Sequence, residues 1–160
     1  MPDPPRVGDE APGFRLPGID GRTGDPLEVA LADLRGRPVV VAFYPADDSP
    51  VCTRQLLDYT REVRRFESVD AAVVAISPQS PSSHRHFAAA HDGFGFPLLS
   101  DEDLSVGRAY GVVGLLDLYR RSTFVVDRDG ILRYAHRYIG TADGVGYRTP
   151  ETVLAVLESI

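Results

Sequence analysis

The chain has 160 residues, 43% apolar and 25% charged, with a net charge of −6. That length suits one domain over 1–160, and those fractions argue against a disordered tail, a collagen-like fibre or a membrane protein. No apolar run approaches the roughly 18 residues of a spanning helix. All 17 basic residues are arginine, which removes any mechanism that needs a lysine amine, and the acidic balance argues against nucleic acid as a partner. The start is neither cationic nor apolar, so no secretory signal is expected. A single cysteine, Cys52, excludes an intramolecular disulfide, a CxxC redox pair and a zinc knuckle. A reducing, cytoplasmic setting is the expectation.

In chain order, residues 1–13 are proline-rich and read as an extended arm. A short strand is predicted at 14–16, turns at 18–26 and a helical turn at 31–34. Residues 38–44 form a β-branched and aromatic run, as in a strand buried on both faces, which Pro45 ends. After a polar loop, Cys52 opens a helical pattern with Leu56, Tyr59, Val63 and Phe66 on one face. A second buried strand is predicted over 71–76. Ser80 and Pro81 then supply an N-cap and a first helical residue for a helix to His91. A short strand at 96–99 and a short helix at 104–110 follow. Residues 123–126 read as a third buried strand, turning at Asp129-Gly130 into a strand over 131–138. A last helix starts at Thr149-Pro150-Glu151. The order predicts an α/β fold with a central mixed sheet and helices on both faces.

The chemistry concentrates in residues 43–55, where the only thiol sits at a strand-to-helix junction. A helix N-terminus carries unpaired N–H groups and partial positive charge, which favour a thiolate. Lowering a thiol pKa from about 8.5 to about 6.5 takes about 2.7 kcal/mol. A helix end supplies about 0.3–1 kcal/mol, and at best about 2. A second cation is therefore required, and an arginine is the natural candidate. The Asp47-Asp48 pair opposes ionisation unless it points to solvent or caps the loop. Placement alone leaves two readings of Cys52 open, a reactive thiolate or a small buried hydrophobe.

The spacing Pro45-x-x-x-Ser49-x-x-Cys52 resembles the active-site loop of the peroxiredoxins, and its setting, Phe43-Tyr44-Pro45 through Cys52-Thr53-x-Gln55, resembles the bacterioferritin-comigratory (PrxQ-type) branch. The resemblance extends from Val7 to the final helix and includes Ile76-Ser77-Pro78, Phe96 through Asp101, Ala109 through Val112 and Arg121 through Asp127. It implies a thioredoxin-like fold, no cofactor, and reduction of hydrogen peroxide or organic hydroperoxides by attack of Cys52. Ser49 is expected to bridge thiolate and peroxide. The backbone N–H groups of Cys52 and Val51 are expected to donate to the reacting oxygens, and Pro45 to shield the sulfur from water. Arg121 matches the family arginine that contacts sulfur and peroxide, and Gln55 is expected to orient it. Tyr44 is either a hydrogen-bond donor near the pocket or core.

The family branch often carries a resolving cysteine five residues after the peroxidatic one. Here that position is Leu57, and the chain holds no other thiol. The implied mechanism is one-cysteine, with thioredoxin, glutaredoxin or a low-molecular-weight thiol as external reductant, in a monomer or homodimer. The rival readings are a thioredoxin-fold peroxide sensor and a binding protein without turnover. Other constellations read as structural. His84, His86 and His91 are expected to be a surface cluster rather than a metal site. Asp101, Glu102 and Asp103 are expected to form a solvated helix start. Gly111-x-x-Gly114 lacks the setting of a nucleotide loop, and no Gly-x-Ser-x-Gly elbow supports a hydrolase triad. Phe43, Leu115 and Leu116 are candidates to border a pocket for bulky organic peroxides.

Overall fold

The three apolar runs become the middle of one sheet. In the computed structural model, which describes residues 3–138 and 147–160, the strands are β1 (Arg15–Ile19), β2 (Pro26–Ala30), β3 (Val39–Phe43), β4 (Ala72–Ser77), β5 (Leu98–Ser100), β6 (Ser122–Val126) and β7 (Leu132–Arg137). The helices are α1 (Pro50–Arg61), α2 (Val63–Ser68), α3 (Pro81–Ala90), α4 (Ser105–Ala109) and α5 (Pro150–Glu158), with 3-10 turns at Leu31–Leu34 and Leu115–Asp117. The sheet order is β2-β1-β5-β4-β3-β6-β7. β3, β4 and β5 run parallel, and the other pairings are antiparallel. The result is a seven-stranded mixed sheet with flanking helices, the α/β architecture expected from the sequence.

β3 shows why its sequence is continuously apolar. Val39, Val41 and Phe43 pack into a core with Tyr110 and Phe124, while Val40 faces a second core with Cys52, Leu56, Phe66 and Phe87. With period-two alternation and both faces covered, no position of the strand reaches water.

Three expectations are adjusted. The helix of the active-site segment begins at Pro50, two residues before Cys52, because Ser49 is its N-cap and proline fits the first helical position. The helical stripe from Leu56 to Phe66 is kept but spans two helices, broken at Glu62 (φ −103°, ψ 9°). Of the expected N-terminal arm, residues 1 and 2 lie outside the described residues. The rest is docked: Gly8 N–H donates to Leu132 O, Ala11 N–H donates to Gly130 O, and Glu10 bridges Ile131.

The β6–β7 turn hangs on Asp127. Its carboxylate accepts from Asp129 N and Ile131 N and from Arg133 Nε at 2.6 Å. Burial raises the carboxyl, but the Ile131, Arg133 and Asp129 hydrogen bonds outweigh it and hold it below the ordinary range. A depressed carboxyl contributes stability that is complete above its unfolded value, about 3.9, and is lost as pH falls through the folded value. Asp127→Ala is expected to cost about 1.5–3 kcal/mol at pH 7. Urea unfolding should show that difference begin to shrink below about pH 4 and disappear as pH falls through the lower folded value, where the folded parent loses its carboxylate too.

Candidate active site

The site starts from a helix cap. Ser49 Oγ accepts the Cys52 N–H at 3.2 Å, and Ser49 O accepts from both Thr53 N and Thr53 Oγ1. Cys52 therefore lies in the first turn of α1, where backbone N–H groups outnumber intrahelical acceptors. Asp48 turns the chain into the cap with φ +64°, a conformation that Asp tolerates better than most residues. The Cys52 N–H, one of the two backbone donors named from the sequence, donates to Ser49 Oγ here. The Ser49 hydroxyl hydrogen is still free to donate.

Sheet register brings the cation. β3 and β6 pair antiparallel with Phe43 opposite Ser122, which sets Arg121 across from the residue that leaves β3, Tyr44. The residue after β7 holds it from the other side, Tyr138 N–H donating to Arg121 O. Arg121 Nη1 lies 3.1 Å from Cys52 Sγ and 3.0 Å from Gln55 Oε1. Gln55 is three residues beyond Cys52 on the same helix, so both side chains meet one guanidinium. Gln55 is fully buried, and its Nε2 has no hydrogen-bond partner among the described residues.

Cys52 is also fully buried and packs with the apolar core, beside the Arg121 guanidinium. Burial disfavours a charged sulfur, whereas the guanidinium and the helix end favour it. Two unit charges at about 4 Å attract by about 4 kcal/mol at an effective dielectric of about 20. That is several times the about 0.3–1 kcal/mol of a helix terminus, so Arg121 is the dominant favourable element.

Two clusters depart from expectation. His84 is not on the surface: it is fully buried, with Nδ1 2.9 Å from Asp47 Oδ2 and Nε2 3.0 Å from Leu99 O. Asp101 is not part of a solvated helix start. It is buried and accepts from Val106 N, Gly107 N and Tyr119 Oη, holding α4 to the core. Among the described residues no three His, Cys, Asp or Glu side chains converge on a metal-sized site. Phe43 faces the core opposite Cys52, against Tyr110, Tyr119 and Phe124, and borders no peroxide site. Leu115 and Leu116 stand exposed on their 3-10 turn. Tyr44 is fully buried and donates to Asp47 Oδ1 at 2.7 Å. Burial and the Asp47 charge hold its phenol well above the ordinary range.

Residues 7–135 match the model of the AhpC/TSA family. The chain belongs to that family. A Mycobacterium tuberculosis protein that carries a peroxiredoxin name is 45% identical over 130 residues, covering 77% of this chain and 79% of that one. A solved structure of Xanthomonas campestris peroxiredoxin Q superimposes with a TM-score of 0.74 at 30% identity, covering 90% of each chain. Mycobacterium tuberculosis AhpC superimposes with a TM-score of 0.86 at 26% identity, covering 98% of this chain and 93% of that one. Peroxiredoxin family membership makes this chain a thiol-dependent peroxidase, an oxidoreductase. No helix among its described residues is long and apolar enough to cross a membrane.

Within this peroxiredoxin, α1 is strapped from outside the sheet. Tyr59 Oη donates to Arg148 O at 2.5 Å, and Tyr147 Oη donates to Asp58 Oδ2 at 2.6 Å. Burial and the bond to Asp58 push the Tyr147 phenol up to about 12. Leu57, at the position of the family's resolving cysteine, packs against the core. Opening α1 would expose Leu56, Leu57 and Tyr59 and break both straps. Amide exchange across residues 53–57 is therefore expected to stay protected when Cys52 is oxidised. Strong deprotection on oxidation would show that the helix unwinds.

Proposed function

We propose that this peroxiredoxin works with Cys52 alone, as one domain over 1–160. It reduces hydrogen peroxide or organic hydroperoxides at the expense of an external thiol in a reducing, cytoplasmic setting. The observation that carries this reading is a single sulfur held 3.1 Å from Arg121 Nη1 at the first turn of a helix, in a chain with no second cysteine.

In this reading the Cys52 thiolate attacks one peroxide oxygen in line. The S–O bond forms as the O–O bond breaks, sulfur is oxidised to sulfenic acid, and the leaving oxygen takes a proton and departs as water or alcohol. Negative charge moves from sulfur to the leaving oxygen, so donors that span both are the catalytic need. Arg121 spans them from its place beside Sγ. Ser49, fixed as N-cap, turns its hydroxyl hydrogen toward sulfur or peroxide, and the Val51 N–H adds a backbone donor. Gln55 Oε1 fixes the guanidinium plane, and Pro45 closes one side of the pocket and keeps bulk water from the sulfur. A reductant thiol then displaces water from the sulfenic acid to give a mixed disulfide. A second thiol releases Cys52 and leaves as the oxidised disulfide. Thioredoxin, glutaredoxin and low-molecular-weight thiols all satisfy this chemistry, and it needs no cofactor and no particular oligomeric state.

Stopped-flow mixing of the reduced chain with peroxide should consume one thiol rapidly, and Cys52→Ser should abolish the reaction. Arg121→Ala should slow it roughly 10²–10³-fold, the usual loss for a donor that stabilises a developing oxyanion. Steady turnover with an added thiol, through a mixed disulfide visible by mass spectrometry, completes the expectation. Fast thiol loss without turnover on any thiol donor would instead mark a peroxide sensor. A thiol no faster than free cysteine would mark a binding protein.

A further inference from the structure

Behind the Cys52 loop lies a buried polar network that the reaction chemistry does not use. His84 and the Asp47 side chain are 0% and 2% exposed. The Asp47 carboxylate accepts from Tyr44 Oη at 2.7 Å and Ser83 Oγ at 2.7 Å and faces His84 Nδ1 at 2.9 Å. The opposite ring nitrogen, Nε2, faces Leu99 O at 3.0 Å. A carbonyl oxygen only accepts, so Nε2 carries a hydrogen. A carboxylate also only accepts, so Nδ1 carries one too. The ring that satisfies both partners is an imidazolium, and the pair is a buried ion pair.

The same loop is gripped by its backbone. Gln79 Oε1 accepts the Asp47 N–H at 3.0 Å, and Gln79 Nε2 donates to Pro45 O at 3.3 Å. Ser77 Oγ donates to Gln79 Oε1 and steadies it. The run from Pro45 to Asp47 is thus anchored to β4, α3 and β5, and two residues later Ser49 caps the helix of Cys52. Within the network the side-chain anchor carries charge, and removing one partner strands the other in a dry site.

We propose that Asp47 and His84 are positioning residues: their ion pair holds the loop so that Ser49 and Pro45 are correctly placed about the Cys52 sulfur. This rests on the peroxidase reading. A peroxide needs several donors in register with sulfur, whereas a simple alkylating agent needs only an accessible thiolate. Loosening the loop therefore slows peroxide far more than alkylation. Displacement of about 1 Å at a reacting centre costs on the order of 10²-fold.

The experiment compares second-order rate constants for hydrogen peroxide and for iodoacetamide in the parent chain, Asp47→Asn, His84→Gln and the double variant. Folding is checked by circular dichroism. Each single variant should lose on the order of 10²-fold toward peroxide and less than about threefold toward iodoacetamide. The double variant should lose no more than either single one, because the pair acts as a unit. Parallel loss of both reactions, unchanged peroxide rates, or losses that multiply in the double variant would overturn the proposal. The ¹⁵N shifts of the His84 ring in the unmodified chain at pH 7 supply a test that needs no variant. Two protonated nitrogens support the ion pair, and one bare nitrogen overturns it. If the parent thiol reacts with peroxide no faster than free cysteine, the peroxidase reading itself fails, an outcome separate from these.

Discussion

A buried sulfur beside a guanidinium is the contact on which the rest of this molecule is arranged. Cys52 and Arg121 are 69 residues apart, and sheet pairing is what joins them. Arg121 precedes β6, Cys52 follows β3, and the antiparallel register sets Ser122 against Phe43. A slip of one residue would turn every β6 side chain to the opposite face and carry the register that places Arg121 with it. The fully buried faces of β3 and β6 forbid that slip. The hydrophobic core therefore sets the Arg121–Cys52 distance as well as stabilising the fold.

The electrostatics near sulfur raise a problem that the structure resolves. The Cys52 loop carries two acids, and a carboxylate facing the sulfur would oppose a thiolate. Asp48 is exposed, turned outward by its left-handed backbone. The Asp47 carboxylate points away from solvent, toward His84. Burial raises it, but the hydrogen bond and charge of His84, with the bonds from Ser83 and Tyr44, hold it below the ordinary range. One acid faces water and the other faces His84 Nδ1 at 2.9 Å.

How much of this was legible in the sequence varies with how local each signal is. Strands β3, β4, β6 and β7, α3 with its Ser80 cap, and the junction that places Cys52 were readable because capping chemistry and period-two burial act between neighbours; β2 (Pro26–Ala30) was not read, and β1 runs to Ile19 where turns were expected. Arg121 was not separable from the other arginines by any local feature; the family likeness alone selected it, since its role comes from strand pairing. His84 had a usable signal. With Phe87, Ala88 and His91 it falls at helical spacing on a stripe whose Phe87 and Ala88 are buried, and that stripe argued for an interior histidine. Its partner, 37 residues upstream, left no trace in spacing. Asp101 was likewise hidden, because its partners are backbone N–H groups of the helix that follows and the distant Tyr119.

The missing second cysteine bears on mechanics as well as chemistry. Residues five apart on an intact helix lie on different faces, too far apart for a disulfide, whose Cα atoms must come within about 7 Å. A relative that resolves through that position must open the helix in each cycle. Here Leu57 occupies it, and its packing gains from keeping the helix closed. Tyr59 and Asp58 tie the same helix to Arg148 O and Tyr147 Oη. Under the proposed one-cysteine mechanism, nothing requires the first turn of α1 to be unstable. The loop, the cap and the arginine can stay assembled through the cycle, so the entropy of reassembling them need not be met at each turnover.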